Sequence, residues 1–346
     1  MKDIQINAGS VKGLAVSLAV GAVGGIAFQL TGLPLAWMLG PLIANLLVSS
    51  QGVKVAVPEP VRNFFLAIMG MVLGSQVTPQ LAHRVADWPV SAGLLLLGVA
   101  ASTAVAAAWY RRCGFDPVSA WFGAAPGAMT AMILLGEKCG GDPQRIAVAQ
   151  SLRIILVILF LPPLFWASGD GGESVGPVNS GLEHGWMLLT IPLVLPLGRF
   201  LRIPTPALLA PLLMAALLSG FNIASLALPG WGMNVMLWVL GSAIGSRFQG
   251  MTRRLLGRYL WQSGIATLLA LAVLALFAEL IHQLLGVGRD VALLALAPGG
   301  IGEMAILAVA LNIDPVFVAF HHLLRMVTLM IIAPFWARWL MRRSAS

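Results

Sequence analysis

The chain has 346 residues, of which 59% are hydrophobic and 10% charged, and its mean hydropathy is +0.90; these values exclude a soluble globular protein. A formal net charge of +8 invites a nucleic-acid partner, but the basic residues sit at the ends of apolar stretches, where the positive-inside rule accounts for them. The two cysteines, Cys113 and Cys139, give neither a disulfide framework nor a metal-ligand spacing.

In chain order, apolar stretches cover 13–30, 34–50, 61–78, 88–110, 118–135 and 144–167. The first lacks an A-x-A cleavage site and runs at once into another, which predicts a retained helix rather than a signal peptide. The third carries Gly70-x-x-x-Gly74, a spacing that permits close helix approach; it is expected to pack within its own half of the chain. The fifth is centred on Ala124-Ala125-Pro126-Gly127-Ala128. Proline removes a donor and glycine tolerates left-handed backbone, so this stretch is expected to break at its middle. The sixth opens on Asp142-Pro143, an N-cap followed by proline at the first helical position. Arg153, eleven residues on, then lies ~16 Å into that helix, near mid-membrane.

The polar stretch 169–185 contains Asp170, Glu173 and Glu183 but no Lys or Arg. It separates a first membrane repeat, 1–168, from a second, 186–346. Stretches follow at 186–201, 205–221, 232–246, 259–281, 291–311 and 316–337, and they copy the first half at a nearly constant offset. Leu39-Gly40-Pro41 recurs as Leu209-Ala210-Pro211, Gly70 and Gly74 as Gly241 and Gly245, and Pro126-Gly127 as Pro298-Gly299. Asp142-Pro143 and Arg153 recur as Asp314-Pro315 and Arg325. Such duplication in an apolar chain is a transporter building plan, with the site where the halves meet.

Twelve crossings would make the halves parallel. If 118–135 and 291–311 instead return to the side they entered, each half has five crossing helices plus one re-entrant element, ten crossings in all, and the halves are inverted. In that arrangement the cytoplasmic side holds every Lys and Arg except Arg84, Arg289, Arg153 and Arg325. Twelve crossings divide the same charges almost evenly, against the orienting bias of Lys and Arg. The expected fold is therefore an all-α polytopic membrane protein of two inverted repeats, with both termini cytoplasmic and the acidic linker outside.

Arg153 and Arg325 are the first candidates for chemistry. A mid-membrane charge is costly and is usually paired or turned to a polar cavity. One reading is a pair of guanidinium groups that bind carboxylate or phosphate. The other is that each arginine ties down carbonyls freed by a broken element; the two are compatible. Pro126, Gly127, Pro298, Gly299 and Gly300 would lend backbone groups to the same site. Glu303, at the start of an arm where free N–H groups favour an anion, is a candidate for coupling to a proton or cation, or else a local helix-start residue or a salt-bridge partner for Arg325. Its counterpart is Ala131. His321 and His322 are further coupling candidates, facing Ala149 and Gln150 in the first half; Gln150 and Asn312 are weaker polar candidates. Adjacent histidines on a helix point about 100° apart and cannot face one metal, so no metal and no cofactor is expected. Trp37, Trp88, Trp186 and Trp336 read as interfacial anchors.

With Leu33-Pro-Leu-Ala-Trp-Met-Leu-Gly-Pro41, Ala297-Pro-Gly-Gly-Ile-Gly-Glu-Met304 and His321-His-Leu-Leu-Arg325 in hand, the chain resembles the AbrB-type integral membrane proteins of Gram-negative bacteria. That family is defined by an internal duplication and is unrelated to the soluble DNA-binding protein of the same name. The resemblance spans essentially the whole chain and implies an inner-membrane protein. Family labels include transcriptional regulator, regulator of a DNA-damage-response gene and ammonia monooxygenase. The first copy departs from the motif, with Ala131 where the glutamate stands. The residues favour a secondary-transporter-like protein, not an enzyme, that binds or moves a small anionic metabolite, with proton coupling as an option. Its expected partners are the bilayer and a small ligand, with further copies of itself as an option. The alternatives are a membrane sensor that regulates gene expression through a partner and, third, a metal-dependent monooxygenase.

Overall fold

The computed structural model describes residues 8–32, 35–77, 88–167, 184–246, 253–311 and 313–344. The expected linker 169–185, apart from its last two residues, lies outside them, as do Leu33, Pro34 and Asn312. Among the described residues there is no β-strand; the helices are α1 (Ala8–Leu30), α2 (Ala36–Ser49), α3 (Glu59–Gly74), α4 (Trp88–Arg112), α5 (Pro117–Ala124), α6 (Met129–Lys138) and α7 (Pro143–Ala167). A 3-10 turn, Gly185–Thr190, leads to α8 (Ile191–Phe200), α9 (Pro206–Gly220), α10 (Gly230–Gly245), α11 (Arg253–Leu285), α12 (Arg289–Leu296), α13 (Ile301–Ala310) and α14 (Pro315–Ser344).

Five described segments are long and apolar enough to cross a membrane: Val11–Leu30, Trp88–Arg112, Pro143–Phe165, Gly257–Leu285 and Pro315–Ala337. Large apolar side chains stand far out of the fold, among them Leu30, Phe200, Phe221, Trp231 and Trp261, each at least 70% exposed. Apolar surface on that scale is suited to lipid, not water.

The chain forms two compact units, and each draws on both halves of the sequence. One comprises Met1–Ala82, Trp166–Arg253 and Val309–Asn312; the other comprises His83–Phe165, Arg254–Ala308 and Ile313–Ser346.

In the first unit α2 packs on α1 and α10, and α3 packs on α9. A Cβ on Gly70 would meet the carbonyl oxygen of Leu208, and one on Gly74 that of Leu212. Likewise Gly241 is pressed on Met38 O and Gly245 on Leu42 O. The expectation that these glycines pack within their own half is thus overturned: each row is closed by a helix from the other half. The physical reason is that bare backbone offers a groove to any helix that also presents a flat face, and α9 and α2 carry Pro211 and Pro41 at their close-packed turns. Asn45, buried in α2, ties to α1 by accepting from Ser17 Oγ at 2.8 Å and donating to Ser17 O at 3.0 Å.

The second unit holds both broken elements. The stretch 118–135 separates into α5 and α6 around Ala125–Ala128, and 291–311 into α12 and α13 around Ala297–Gly300, as the Pro-Gly pairs predict. The first element doubles back, since Asp142 N–H, just beyond α6, donates to Ser119 Oγ in the first turn of α5 at 2.7 Å. Arg145 Nη1 also reaches Gly114 O, just before α5, at 2.9 Å. Its two ends therefore lie side by side. Trp88 differs from a lipid-facing anchor, being buried against Phe317, Phe320 and His321, while Trp336 is half-buried and packs on Trp121 and Phe122. In both cases a neighbouring aromatic cluster claims the indole face.

Candidate functional site

The site grows from two helix starts. Asp142 Oδ1 accepts from Gln144 N at 2.9 Å and Arg145 N at 3.2 Å, and Asp314 Oδ1 accepts from Phe317 N at 3.1 Å. Each aspartate caps its helix, with Pro143 and Pro315 as the first helical residues. Removing the carboxylate (Asp142→Ala) is expected to cost about 1 kcal/mol, read as a small fall in thermal midpoint. These fixed starts place Arg153 on α7 and Arg325 on α14, 5% and 1% exposed.

Breaking a helix orphans carbonyls that the next turn would have satisfied. Arg153 collects those of the first break, donating from Nη1 to Ala125 O at 3.0 Å and Ala124 O at 3.4 Å. Its Nη2 donates to Gln150 Oε1 at 2.9 Å, and Gln150 Nε2 donates to Phe122 O at 2.7 Å and Ala125 O at 2.8 Å. Arg325 does the same for the second break: Nη1 donates to Ala297 O at 2.6 Å and Leu296 O at 3.4 Å, and Nη2 to Gly299 O at 2.5 Å. His322 takes the place of Gln150, with Nδ1 2.7 Å from Arg325 Nη2 and Nε2 3.0 Å from Leu294 O.

The two clusters share their main bonds at matching positions, but Gly299 O is held by Arg325 alone, Ala125 O takes a second bond from Gln150, and the two Nε groups differ. Arg153 Nε donates to Pro298 O at 2.7 Å, on the opposite broken element. Arg325 Nε faces Gly127, 3.9 Å from where a Cβ would stand, and is buried with no acceptor among the described residues. No ion pair among the described residues reaches either arginine; Arg62 pairs with Glu59, Arg145 with Asp142 and Arg289 with Glu279. Two like charges therefore share an apolar unit with no ion-paired carboxylate among the described residues.

The arginine donor on Nδ1 fixes His322 as the neutral tautomer protonated on Nε2. A glutamine supplies the same acceptor and donor, as Gln150 demonstrates. His322→Gln should therefore fold with a thermal midpoint close to that of the wild type, whereas His322→Leu, which strands Arg325 and Leu294 O, should lose several degrees. Any proton coupling that uses this imidazole vanishes in the glutamine variant. His321 points elsewhere: Nδ1 donates to Phe317 O at 2.8 Å and Nε2 meets Ser91 Oγ of α4 at 2.8 Å.

Glu303 lies in the first turn of α13, with its carboxylate folded against Gly300, so that a Cβ there would strike Glu303 Oε2. This places negative charge over the helix start. Ala131 is at the matching position of α6, whose N-cap, Ala128 (φ 48°), makes no side-chain cap. Pro126, Pro298 and Gly299 are buried, whereas Gly127, Ala128, Met129 and Ala131 are half-buried. Among the expected site residues, Arg153, Arg325, His322 and the two breaks come together; His321 turns toward Ser91 instead. Gln150 is more central than sequence reasoning weighs it. The available signal is its match to His322 at an offset of 172. Among the described residues no three His, Cys, Asp or Glu group as metal ligands would.

This arrangement has relatives. A protein of Bacillus subtilis strain 168 named "Uncharacterized protein YhjN" is 26% identical over 351 residues, covering 92% of this chain and 90% of its own. The "Putative regulator AbrB" of Escherichia coli K12 is 27% identical over 330 residues, covering 91% and 92%. The Bacillus relative takes the likeness beyond the Gram-negative bacteria. The family described as transition state regulatory protein AbrB matches residues 37–341, a span that takes in both broken elements and both buried arginines. The chain belongs to the AbrB family.

Proposed function

We propose that this protein is a transporter-like membrane protein, not an enzyme, that binds and moves a small anionic metabolite at its two broken elements. The observation that carries this is the pair of buried guanidinium groups, Arg153 and Arg325, with no carboxylate ion-paired to either among the described residues. Uncompensated charge in an apolar interior is expensive and marks a ligand path. The Nη groups of both arginines hold backbone carbonyls, so their part is to rigidify the breaks and set a positive potential there. The breaks at Pro126-Gly127 and Pro298-Gly299-Gly300 present the backbone groups.

The wider reading is of inverted repeats in the bacterial cytoplasmic membrane, with ten crossings, both termini inside and the linker outside. It is supported by the Lys and Arg distribution and by the doubling-back of α5 and α6. Glu303 and His322 are the coupling candidates, with His321 behind them. Counterflow in proteoliposomes tests the function. Preloaded carboxylate should accelerate entry of the labelled species, and Arg153→Gln or Arg325→Gln should abolish this in protein that still elutes as a single species in detergent. A wild-type protein that gives no counterflow with any small carboxylate or phosphate, and no anion-dependent thermal shift, would refute it.

A further inference from the structure

The two breaks are alike in their arginines and unlike in their anions. At α13, a ten-residue helix, the start is covered by the chain's own carboxylate, Glu303, leaning on Gly300. At α6, also ten residues, the matching residue is Ala131, and the N-cap residue Ala128 offers no side-chain acceptor. Met132 N–H is the first to find an intrahelical partner, Ala128 O at 3.0 Å. Among the described residues no acceptor meets Met129 or Ala131 N–H, as expected for the first turn of a helix. The independent sign of a missing ligand is Arg325. It is 1% exposed, and its Nε, 3.9 Å from where a Cβ on Gly127 just ahead of α6 would stand, has no acceptor among the described residues, although the matching Nε of Arg153 has one.

We infer that the start of α6 is a carboxylate subsite, in which one substrate carboxylate takes the place at α6 that Glu303 takes at α13, received by the first N–H groups of α6 and by Arg325 Nε. This rests on the transporter-like reading above and narrows it to substrates that carry a carboxylate. A helix start and one guanidinium N–H suit a single negative charge. The carboxylate class follows from Glu303, whose own carboxylate takes the matching place at α13. Gly127–Met129 and Ala131 are half-buried, as Gly300 and Glu303 are at the second break.

Ala131→Glu makes the first half a copy of the second and should fill the subsite from within. Trifluoroacetate serves as the probe, observed by 19F line broadening on purified protein, with trifluoroethanol as its neutral match. The wild type should broaden trifluoroacetate and leave trifluoroethanol sharp. Ala131→Glu should weaken this binding at least tenfold and melt at a higher temperature than Ala131→Gln, which should still bind. Ala131→Asp provides the same test with a shorter side chain. If the acidic variants fail to fold, or bind the probe as the wild type does while Arg325→Gln does not, the α6 subsite is wrong and the wider anion reading survives. If the wild type binds no anion at all, both fall.

Discussion

Arg325→Leu is expected to be the most damaging single substitution in this protein, leaving little folded material to recover. The change frees the carbonyls of Leu296 and Gly299 together with His322 Nδ1, and takes one of two donors from Ala297 O, which also accepts from Gly299 N–H; all four now accept from one guanidinium. Each buried acceptor left without a donor costs about 1–3 kcal/mol, against a total margin of about 5–15 kcal/mol for a folded protein. Arg153→Leu should follow closely, since it frees the Ala124 and Pro298 carbonyls and Gln150 Oε1, while Ala125 O keeps its bond from Gln150 Nε2. Lysine at either position keeps the charge but cannot reach acceptors on several sides, so Arg325→Lys should fall between leucine and the wild type. Size-exclusion profiles and thermal unfolding in detergent provide the measurement. An Arg325→Leu protein that melts near the wild-type temperature would show that the break is held by something else.

Gly70→Ala and Gly241→Ala form the second large prediction. A methyl group added at either site runs into a backbone carbonyl, Leu208 O or Met38 O, and a helix backbone has no rotamer to retreat to. The packed helices must part, at about 1–3 kcal/mol for each substitution. Gly93→Ala is the control: it lies in α4, a Cβ there meets nothing within 4 Å, and alanine is the better helix former by about 1 kcal/mol. Thermal midpoints should therefore fall for Gly70→Ala and Gly241→Ala and hold or rise for Gly93→Ala. Equal behaviour of all three would contradict the close-contact account.

Much of this was legible in the residues. The break positions follow from proline and glycine chemistry, which acts locally: Pro126-Gly127 and Pro298-Gly299 interrupt helices at the expected points. The place of each arginine along its helix follows from counting from the Asp-Pro starts, and the caps form as read. What long-range packing decides was not legible. Gly70 and Gly241 announce a close approach but not the partner, and the partner lies in the other half of the chain. The same limit applies to Trp88, whose fate depends on Phe317 and Phe320 arriving from a distant helix. The arginines show the subtler case. Sequence gives their charge and place along the helix but not which N–H groups are spent on carbonyls, and that decides how they act on a ligand. The asymmetry between Glu303 and Ala131 was visible; its meaning required the unequal surroundings of the two Nε groups.

The topology of the broken elements underlies the whole account, and the native cysteines test it directly. Cys113 and Cys139 flank the first element and are both partly accessible. Burial pushes both thiols up from their ordinary range, so the reactive thiolate fraction grows as pH rises and labelling belongs on the alkaline side. Each is tested alone, in Cys139→Ser or Cys113→Ser protein, with a membrane-impermeant maleimide on right-side-out and inverted vesicles. If the element returns to the side it entered, both cysteines label in inverted vesicles and neither labels in right-side-out ones. Labelling from opposite sides would mean that the element crosses, the halves run parallel, and the proposed meeting of two inverted breaks is wrong.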